Sequence, residues 1–243
     1  MWDSLIVQPI INLLLVFYKF LGHETIVAVA LVTLIIRLAL SPLMVRQQKT
    51  ASKQKELKPK LDKLQEKYKD DREKLAQAQM ELYQKEGLNP VGGCLPILIQ
   101  LPLMIGLYQG IIRALAATPL RLLALSEDIY TWIPSLSTLI PLKSQFLWLD
   151  LALPDPYYVL PLLVVATAWY YQGLITPPAT DAQTEAMNKQ MKLMLPLMTG
   201  FFAATYASGL AVYFLISNLV GILQYFLFRR HYLHDEEETS SAA

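Results

Sequence analysis

The sequence predicts an all-α integral membrane protein with five transmembrane helices, an N-terminal interfacial helix and a helical hairpin in water. Of its 243 residues, 54% are hydrophobic and only 17% are charged, whereas soluble domains carry roughly 25% charged residues. The charges are also segregated, because residues 46–86 hold 12 of the 21 Lys and Arg residues. Apolar stretches of about 20 residues, the length that a bilayer-spanning helix requires, fill much of the remaining chain.

Five spans follow from these apolar stretches and from the turn signals between them. The last stretch, residues 193–228, contains no charge. As a single helix it would measure about 54 Å, against a hydrocarbon core of about 30 Å. We therefore expect two helices joined by a turn near residues 206–209, the first of them unusually short. The predicted spans are residues 23–45, 89–113, 156–175, 191–206 and 209–228.

The basic residues predict the orientation of these spans. Short cytoplasmic loops are enriched in Lys and Arg, which places residues 46–88 in the cytoplasm. Residues 114–155 are poor in basic residues and should be extracytoplasmic. Residues 176–190 then form a cytoplasmic loop and residues 229–243 an acidic cytoplasmic tail. The N-terminus is expected outside and the C-terminus inside.

Residues 46–88 should form an antiparallel pair of helices. Their apolar positions recur at helical spacing, stop at residues 69–71 and then resume, which is typical of two amphipathic helices. These positions are Leu57, Leu61, Leu64 and Tyr68, followed by Leu75, Ala78 or Gln79, Leu82 and Tyr83. A solvated spacer is the alternative interpretation.

Residues 1–22 are predicted to form a retained amphipathic helix. The first charge is Asp3, and no Ala-x-Ala cleavage site follows the apolar residues, so the pattern differs from that of a secretory signal. Ser4, Gln8 and Asn12 form a narrow polar stripe, which is expected of a helix in the membrane interface. A short additional span is the alternative.

Arg37 is the most informative residue, because it lies inside the first span. A guanidinium in hydrocarbon costs at least about 2.5–3.5 kcal/mol, and no acidic residue lies within the apolar stretches to neutralise it. Either the side chain extends to the headgroups, or a hydrophilic groove open to the cytoplasm hydrates it. Polar residues available to line such a groove are Thr33, Gln100, Gln109, Gln172, Ser217, Asn218 and Gln224.

Enzymatic chemistry has little support in the sequence, and no metal or cofactor is predicted. Cys94 is the only cysteine, which excludes an internal disulfide and a site with several Cys ligands. The three histidines lie at the first residue of a predicted span, His23, or beyond the last span, His231 and His234. No nucleophile elbow, zinc-protease or phosphate-binding motif occurs. Two other classes stay open, a small transporter or channel and a structural subunit of a translocon.

The sequence resembles the YidC/Oxa/Alb family of membrane protein insertases, in its five-span bacterial form. The most specific match is residues 89–96, NPVGGCLP, followed by Gln100, Pro102 and Leu107-Tyr108. Arg37 with Ser41-Pro42, the Lys-rich residues 46–88 and the DPYY sequence at 155–158 also match, as does the MNKQMK sequence at 187–192. The last match combines SGL at 208–210, Tyr213 and SNL at 217–219. The resemblance covers roughly residues 8–228.

The resemblance implies five helices around a groove that opens to the cytoplasm without crossing the membrane. It implies insertion and chaperoning of nascent membrane proteins, alone or with the Sec translocon, without nucleotide hydrolysis. The implied groove residues are Arg37, Thr33, Gln172, Tyr213, Phe214 and Gln100. Substrates would leave along Leu101, Pro102 and Met104. The lipid bilayer is an implied partner, and the Sec translocon and the ribosome are further candidates.

Three departures from the family pattern limit what can be carried over. Ala207 replaces a common proline, and Phe214 stands where a polar aromatic or indole side chain is usual. The short tail contains Asp235 followed by three glutamates, so docking of a ribosome through a basic tail is not expected. The expected location is a bacterial plasma membrane, with a thylakoid membrane as the alternative.

Overall fold

The computed structural model describes residues 2–69, 71–87, 95–115, 142–176 and 182–241, with positions 125, 128–130, 139 and 140 between them. The start of the predicted second span, including Cys94, lies outside the described residues, as do most of residues 116–141 and the start of the predicted loop at 176–190. The described chain is mostly helical. Its helices are α1 Gln8–Phe20, α2 Thr25–Ala39, α3 Ser41–Lys67, α4 Arg72–Lys85, α5 Leu95–Ala114, α6 Val159–Ile175, α7 Ala182–Thr205 and α8 Ser208–Ser241. A π-helical turn, Asp3–Val7, precedes α1, and two strands, β1 Gln145–Phe146 and β2 Leu149–Asp150, pair antiparallel.

Two described helices are long and apolar enough to cross a membrane by length and composition, namely Asp3–Phe20 and Ser208–Leu227. Helices α2 and α6 are also apolar but shorter, with 15 and 17 residues. At 1.5 Å per residue they measure about 22 and 26 Å, less than the hydrocarbon thickness of about 30 Å. The number of spans therefore stays a prediction.

Three boundaries differ from the expected ones. The predicted span 23–45 is cut at Leu40, because Pro42 has no N–H and its ring would clash with the carbonyl of Leu38 in a continuous helix. Helix α7 begins at Ala182, inside the predicted loop, where Glu185 and Lys189 form a 2.7 Å ion pair one turn apart. Helix α8 continues to Ser241, so residues 229–241 of the predicted tail are helical.

The main core lies between α1, α2, α5 and the first half of α8. Its fully buried side chains include Ile11, Leu14 and Leu15 of α1, Val29 and Val32 of α2, Leu107 and Ile111 of α5, and Tyr213 of α8. Helix α5 approaches α1 through two glycines. A Cβ at Gly106 would collide with Ile6, and one at Gly110 would lie 2.8 Å from Ile10 Cγ2. Small residues at this spacing let membrane helices pack closely.

Two residues of the N-terminal polar stripe, Gln8 and Asn12, face protein, whereas Ser4 is exposed. Gln8 Nε2 donates to Asp128 Oδ1 at 3.1 Å, and Asn12 Nδ2 donates to the Asp128 carbonyl at 2.9 Å. Tyr130 N donates in turn to Asn12 Oδ1 at 2.8 Å. The stripe thus has a structural cause other than the aqueous interface that we expected. The position of this helix relative to the bilayer stays a prediction.

Helices α3 and α4 pack their apolar residues against each other. Leu57 and Leu61 are buried and contact Leu82 and Tyr83, while Lys60 Nζ lies 2.7 Å from Glu86 Oε1 across the pair. Asp71 begins α4 as an N-cap, since its Oδ1 accepts a 3.1 Å hydrogen bond from Lys74 N. The side chain and the backbone N–H of Lys74 lower the pKa of Asp71 below its ordinary value.

Helices α6, α7 and α8 form a second packed group. Asp155 caps α6, accepting hydrogen bonds from Tyr157 N at 3.0 Å and Leu160 N at 2.8 Å. Asn218 of α8 donates to Thr167 of α6 at 3.2 Å. Gly200 of α7 faces Val165 of α6, and a Cβ there would collide with the valine methyl. The group therefore depends on the absence of a side chain at residue 200.

We predict that Gly200→Ala destabilises the protein by about 1–3 kcal/mol, because the β-branched Val165 cannot yield without backbone movement. Thermal unfolding in detergent measures this loss, and Val165→Ala in the same chain should recover part of it. Gly173→Ala is the matched control, since nothing lies within 4 Å of a Cβ at that helical glycine. Equal melting temperatures for the two alanine variants would contradict the predicted packing.

Candidate functional site

Arg37 lies in the last turn of α2 and points between α6 and α8, with only 6% of its surface exposed. Its Nε and Nη2 atoms both donate to the hydroxyl of Ser217 on α8, at 2.9 and 2.5 Å. Its Nη1 atom donates to Met44 Sδ at 3.7 Å. The planar fork of the guanidinium therefore closes on one neutral oxygen and one sulfur.

The ring of Tyr171 on α6 covers the guanidinium. The Arg37 Cζ atom lies 5.7 Å from the ring centroid, within the range of a cation–π interaction. Gly221 of α8 makes room for this ring, because a Cβ there would lie 2.8 Å from Tyr171 Cζ. Helices α2, α6 and α8 thus meet at Arg37, and the lack of a side chain at Gly221 leaves space for the Tyr171 ring.

The charge of Arg37 has no acidic counterpart in the described part of the chain, where no carboxylate oxygen lies within 4.0 Å of it. A hydrogen bond from a charged donor contributes about 1.5–3 kcal/mol, and a cation–π contact about 0.5–2 kcal/mol. Together they are comparable to the cost of about 2.5–3.5 kcal/mol for arginine at a helix centre. The site can hold the cation without neutralising it.

Gln224 joins α8 to the end of α2. Its Nε2 atom donates to the main-chain carbonyl of Arg37 at 3.3 Å. This bond helps to cap a helix end that Pro42 has interrupted. Gln224 is buried, and its Oε1 atom has no hydrogen-bond partner among the residues that the structure describes, so the same amide offers a free acceptor beside Arg37 within this part of the chain.

Of the other predicted groove residues, Thr33 lies on α2, one turn before Arg37, whereas Gln100, Tyr213 and Phe214 lie on α5 and α8. Thr33 is buried one turn before Arg37, and its hydroxyl donates to the Val29 carbonyl of its own helix at 2.7 Å. Tyr213 is buried one turn before Ser217, where its hydroxyl accepts a 2.6 Å hydrogen bond from Gln100 of α5. Phe214 is buried with its ring centroid 5.4 Å from that of Tyr213.

Gln172 forms its hydrogen bonds within the end of its own helix, and the predicted exit residues lie on α5. Gln172 is half-buried and donates to Thr176 Oγ1 at 3.3 Å. The residue of α6 that contacts Arg37 is its neighbour Tyr171. On α5, Leu101 is exposed, whereas Pro102 and Met104 are half-buried. The predicted hydration of Arg37 is not apparent in this covered conformation and stays a prediction.

Sequence reasoning missed part of this site. Ser217 was counted among the polar residues of the last span but was not assigned to Arg37. Nothing in the local sequence distinguishes three further residues from others in an apolar span, namely Tyr171, Met44 and Gly221. Only their contacts in the folded protein identify them as part of the site. Within the described residues, no three His, Cys, Asp or Glu side chains are grouped as metal ligands.

Comparison with known proteins gives consistent matches. Residues 16–236 match the family described as 60Kd inner membrane protein. "Membrane protein insertase YidC 2" of Bacillus anthracis is 35% identical over 235 residues, which cover 94% of this chain and 81% of the relative. "Membrane protein insertase MisCA" of Bacillus subtilis (strain 168) is 34% identical over 232 residues, 94% of this chain and 79% of the relative.

Longer relatives match over part of their length. "Membrane protein insertase YidC" of Laribacter hongkongensis (strain HLHK9) is 38% identical over 224 residues, 92% of this chain but 36% of the relative. The chain therefore spans a little over a third of that relative and about four fifths of the Bacillus ones. The resemblance predicted from the motifs is confirmed, and the chain belongs to the 60Kd inner membrane protein family.

Proposed function

We propose that this protein is a membrane protein insertase and chaperone, which moves apolar segments of nascent proteins into the bilayer and helps them fold. The names of its relatives support this function. The structural observation that carries it is Arg37, a buried cation that meets a hydroxyl and an aromatic ring but no carboxylate among the described residues. Such a charge is suited to receive an acidic group that stays only briefly.

The proposed setting is a bacterial plasma membrane crossed by five spans, with α3 and α4 as a hairpin in the cytoplasm. The N-terminus is outside and the C-terminus inside. A thylakoid membrane is the alternative location. The short α2 and α6 favour a bilayer that is thinned around the protein. Thinning would shorten the hydrocarbon path that a hydrophilic segment must cross.

In this proposal, α2, α6 and α8 enclose a groove that opens to the cytoplasm when the Tyr171 ring moves off Arg37. A carboxylate can then replace Ser217. The hydroxyl is a neutral acceptor held at one point, whereas a carboxylate accepts two parallel hydrogen bonds from guanidinium. Two of the five N–H groups of Arg37 meet no acceptor within the described chain. Those two donors would be available to the incoming group.

The apolar segment of the substrate would leave along α5, past Gln100, Leu101, Pro102 and Met104. Leu101 is exposed on this helix, while the bond from Gln100 to Tyr213 ties the helix to α8. Burial of apolar surface at about 25 cal/mol per Å² supplies the driving force. No nucleotide needs to be hydrolysed. The Sec translocon and the ribosome are proposed partners, although the acidic tail does not favour ribosome docking through the tail.

The function is tested by photo-crosslinking to a stalled nascent membrane protein. Probes at residues 33, 37 and 104 should crosslink to the substrate, because they lie along the proposed path. A probe at Leu162 of α6 is the control, since its side chain is 69% exposed on another helix face. Crosslinks at Leu162 equal to those at residues 33 and 104 would rule out a defined path. A small channel would instead expose residue 33 to reagents from both sides.

Arg37→Ala should reduce insertion of a substrate with acidic residues in its translocated segment by about ten- to hundredfold, the equivalent of one charged hydrogen bond. Arg37→Lys keeps the charge and should retain most of the activity. A substrate whose translocated acids are changed to amides is the matched control and should be little affected. If Arg37→Ala and Arg37→Lys reduce insertion equally, Arg37 has a structural role in binding Ser217 and Tyr171.

Ser217→Ala should lower the free energy of unfolding by about 1–3 kcal/mol, because it leaves guanidinium donors unpaired. It should also strengthen crosslinking to acidic substrates, since the competing hydroxyl is gone. Ser208→Ala is the matched control, because this buried serine of α8 donates to the Asp150 carbonyl at 2.7 Å, away from Arg37. If both variants change crosslinking alike, Ser217 does not compete with substrate.

A further inference from the structure

The turn between β1 and β2 presents two large apolar side chains outward. Leu147 and Trp148 are the two residues of this turn, and 74% and 46% of their surfaces are exposed. They are flanked by Gln145 and Asp150, whose side chains hydrogen-bond to each other at 3.2 Å. Polar residues therefore close the base of the hairpin while apolar residues form its tip.

Backbone geometry does not account for a leucine at this tip. Leu147 has φ +55°, in the left-handed region where Gly, Asn and Asp are favoured. A leucine there is strained and, in water, also exposes apolar surface. An apolar environment would remove the cost of exposure and turn the leucine into a favourable contact, which would offset the backbone strain. The residue type thus points to an environment outside the protein.

The tip is held in a fixed position on the helical core. Ser208 Oγ donates to the Asp150 carbonyl at 2.7 Å, and Gly209 N donates to the Leu151 carbonyl at 3.0 Å. These bonds attach the hairpin to the turn between α7 and α8. Leu149 and Leu151 are buried beneath it. The hairpin therefore holds its two exposed residues in a fixed position relative to the helices.

Other exposed aromatic residues lie at the same end of the helices. Tyr157 and Tyr158 are exposed immediately before α6. The helix that follows exposes Leu162, Leu163 and Trp169, a surface suited to lipid chains. Trp and Tyr are enriched where membrane proteins cross the bilayer–water interface. The apolar tip and the two tyrosines thus lie at the end of the helices where the apolar surface of α6 begins.

We propose that the Leu147–Trp148 turn, with Tyr157 and Tyr158, inserts into the headgroup region of the extracytoplasmic leaflet and anchors the protein there. The occupant is lipid, because the turn lies at the helix end at which Tyr157 and Tyr158 are also exposed, and Trp and Tyr are enriched where proteins cross the bilayer–water interface. The inference rests on the proposed topology but not on the role of Arg37 toward substrates. It therefore stands or falls separately from the groove.

Such an anchor would fix the depth of the groove. Lys143, two residues before β1, accepts a 2.6 Å hydrogen bond at its carbonyl from Thr25 Oγ1 at the start of α2. Arg37 lies twelve residues further along α2, about 18 Å away at 1.5 Å per residue. The same segment that carries the anchor is thus bonded to the helix that carries the arginine, so the leaflet sets the level of the guanidinium.

The test uses the full-length protein with Trp148 as its only tryptophan, made by changing Trp2, Trp132 and Trp169 to Phe. It is reconstituted in phosphatidylcholine vesicles that contain lipids brominated either near the headgroup or near the chain end. We expect blue-shifted Trp148 emission that is mostly lost with the headgroup-proximal bromines. The matched control keeps only Trp169, about 15 Å deeper along α6, and should be quenched best by the chain-end bromines.

A second variant separates the anchor from folding. Leu147→Asn suits the left-handed backbone better, so the thermal unfolding temperature should hold or rise while quenching of Trp148 by lipid falls. The proposal is overturned if Trp148 is quenched by acrylamide and not by brominated lipid. Lipid quenching that appears only after the protein is diluted would also overturn it, because another copy would then cover the turn. The same holds if the two sets of brominated lipids quench Trp148 and Trp169 in the same pattern, because both side chains would then lie at one depth.

Discussion

A cation buried among apolar helices must be neutralised, hydrated or hydrogen-bonded, and Arg37 meets this constraint through a hydroxyl and an aromatic face. The arrangement requires three helices in register, because Ser217 comes from α8, Tyr171 from α6 and the arginine from α2. It also requires Gly221, which leaves space for the tyrosine ring. Since both partners are neutral, the full positive charge is kept. A permanent carboxylate partner would have neutralised the charge and left it unavailable to the acidic group of a substrate.

Close packing through glycine explains how short helices keep this register. Gly106 and Gly110 bring α5 against the N-terminal helix, and Gly200 brings α7 against α6. In lipid, association of helices depends on such contacts and on hydrogen bonds, because the surrounding chains are as apolar as the helices. The bond between Gln100 and Tyr213 adds a polar link between α5 and α8. The framework around Arg37 can therefore be firm although two of its apolar helices are short.

The helix end that bears the β1–β2 hairpin, which is extracytoplasmic in the proposed topology, has several long-range polar contacts that tie loops to helices. Arg113 pairs with Asp3 at 2.7 Å and with Asp128 at 3.0 Å, which joins the first turn of the chain to the end of α5. Lys143 pairs with Glu24 at 2.8 Å, close to the start of α2. Such contacts hold one end of the helices together. The proposed opening toward the cytoplasm would separate the opposite helix ends, where Tyr171 lies in the last turn of α6.

The sequence alone determined the family, the apolar segments and the unusual position of Arg37. Motifs, hydropathy and charge are properties of the residues themselves and do not depend on how the chain folds. The sequence did not determine that Pro42 ends α2 at Ala39, that the Gln8 and Asn12 stripe faces Asp128, or that Tyr171 rather than Gln172 contacts the guanidinium. Those outcomes depend on which helix faces meet. Neighbouring side chains on one helix point in directions about 100° apart, so only the tertiary packing decides which of two adjacent residues enters the site.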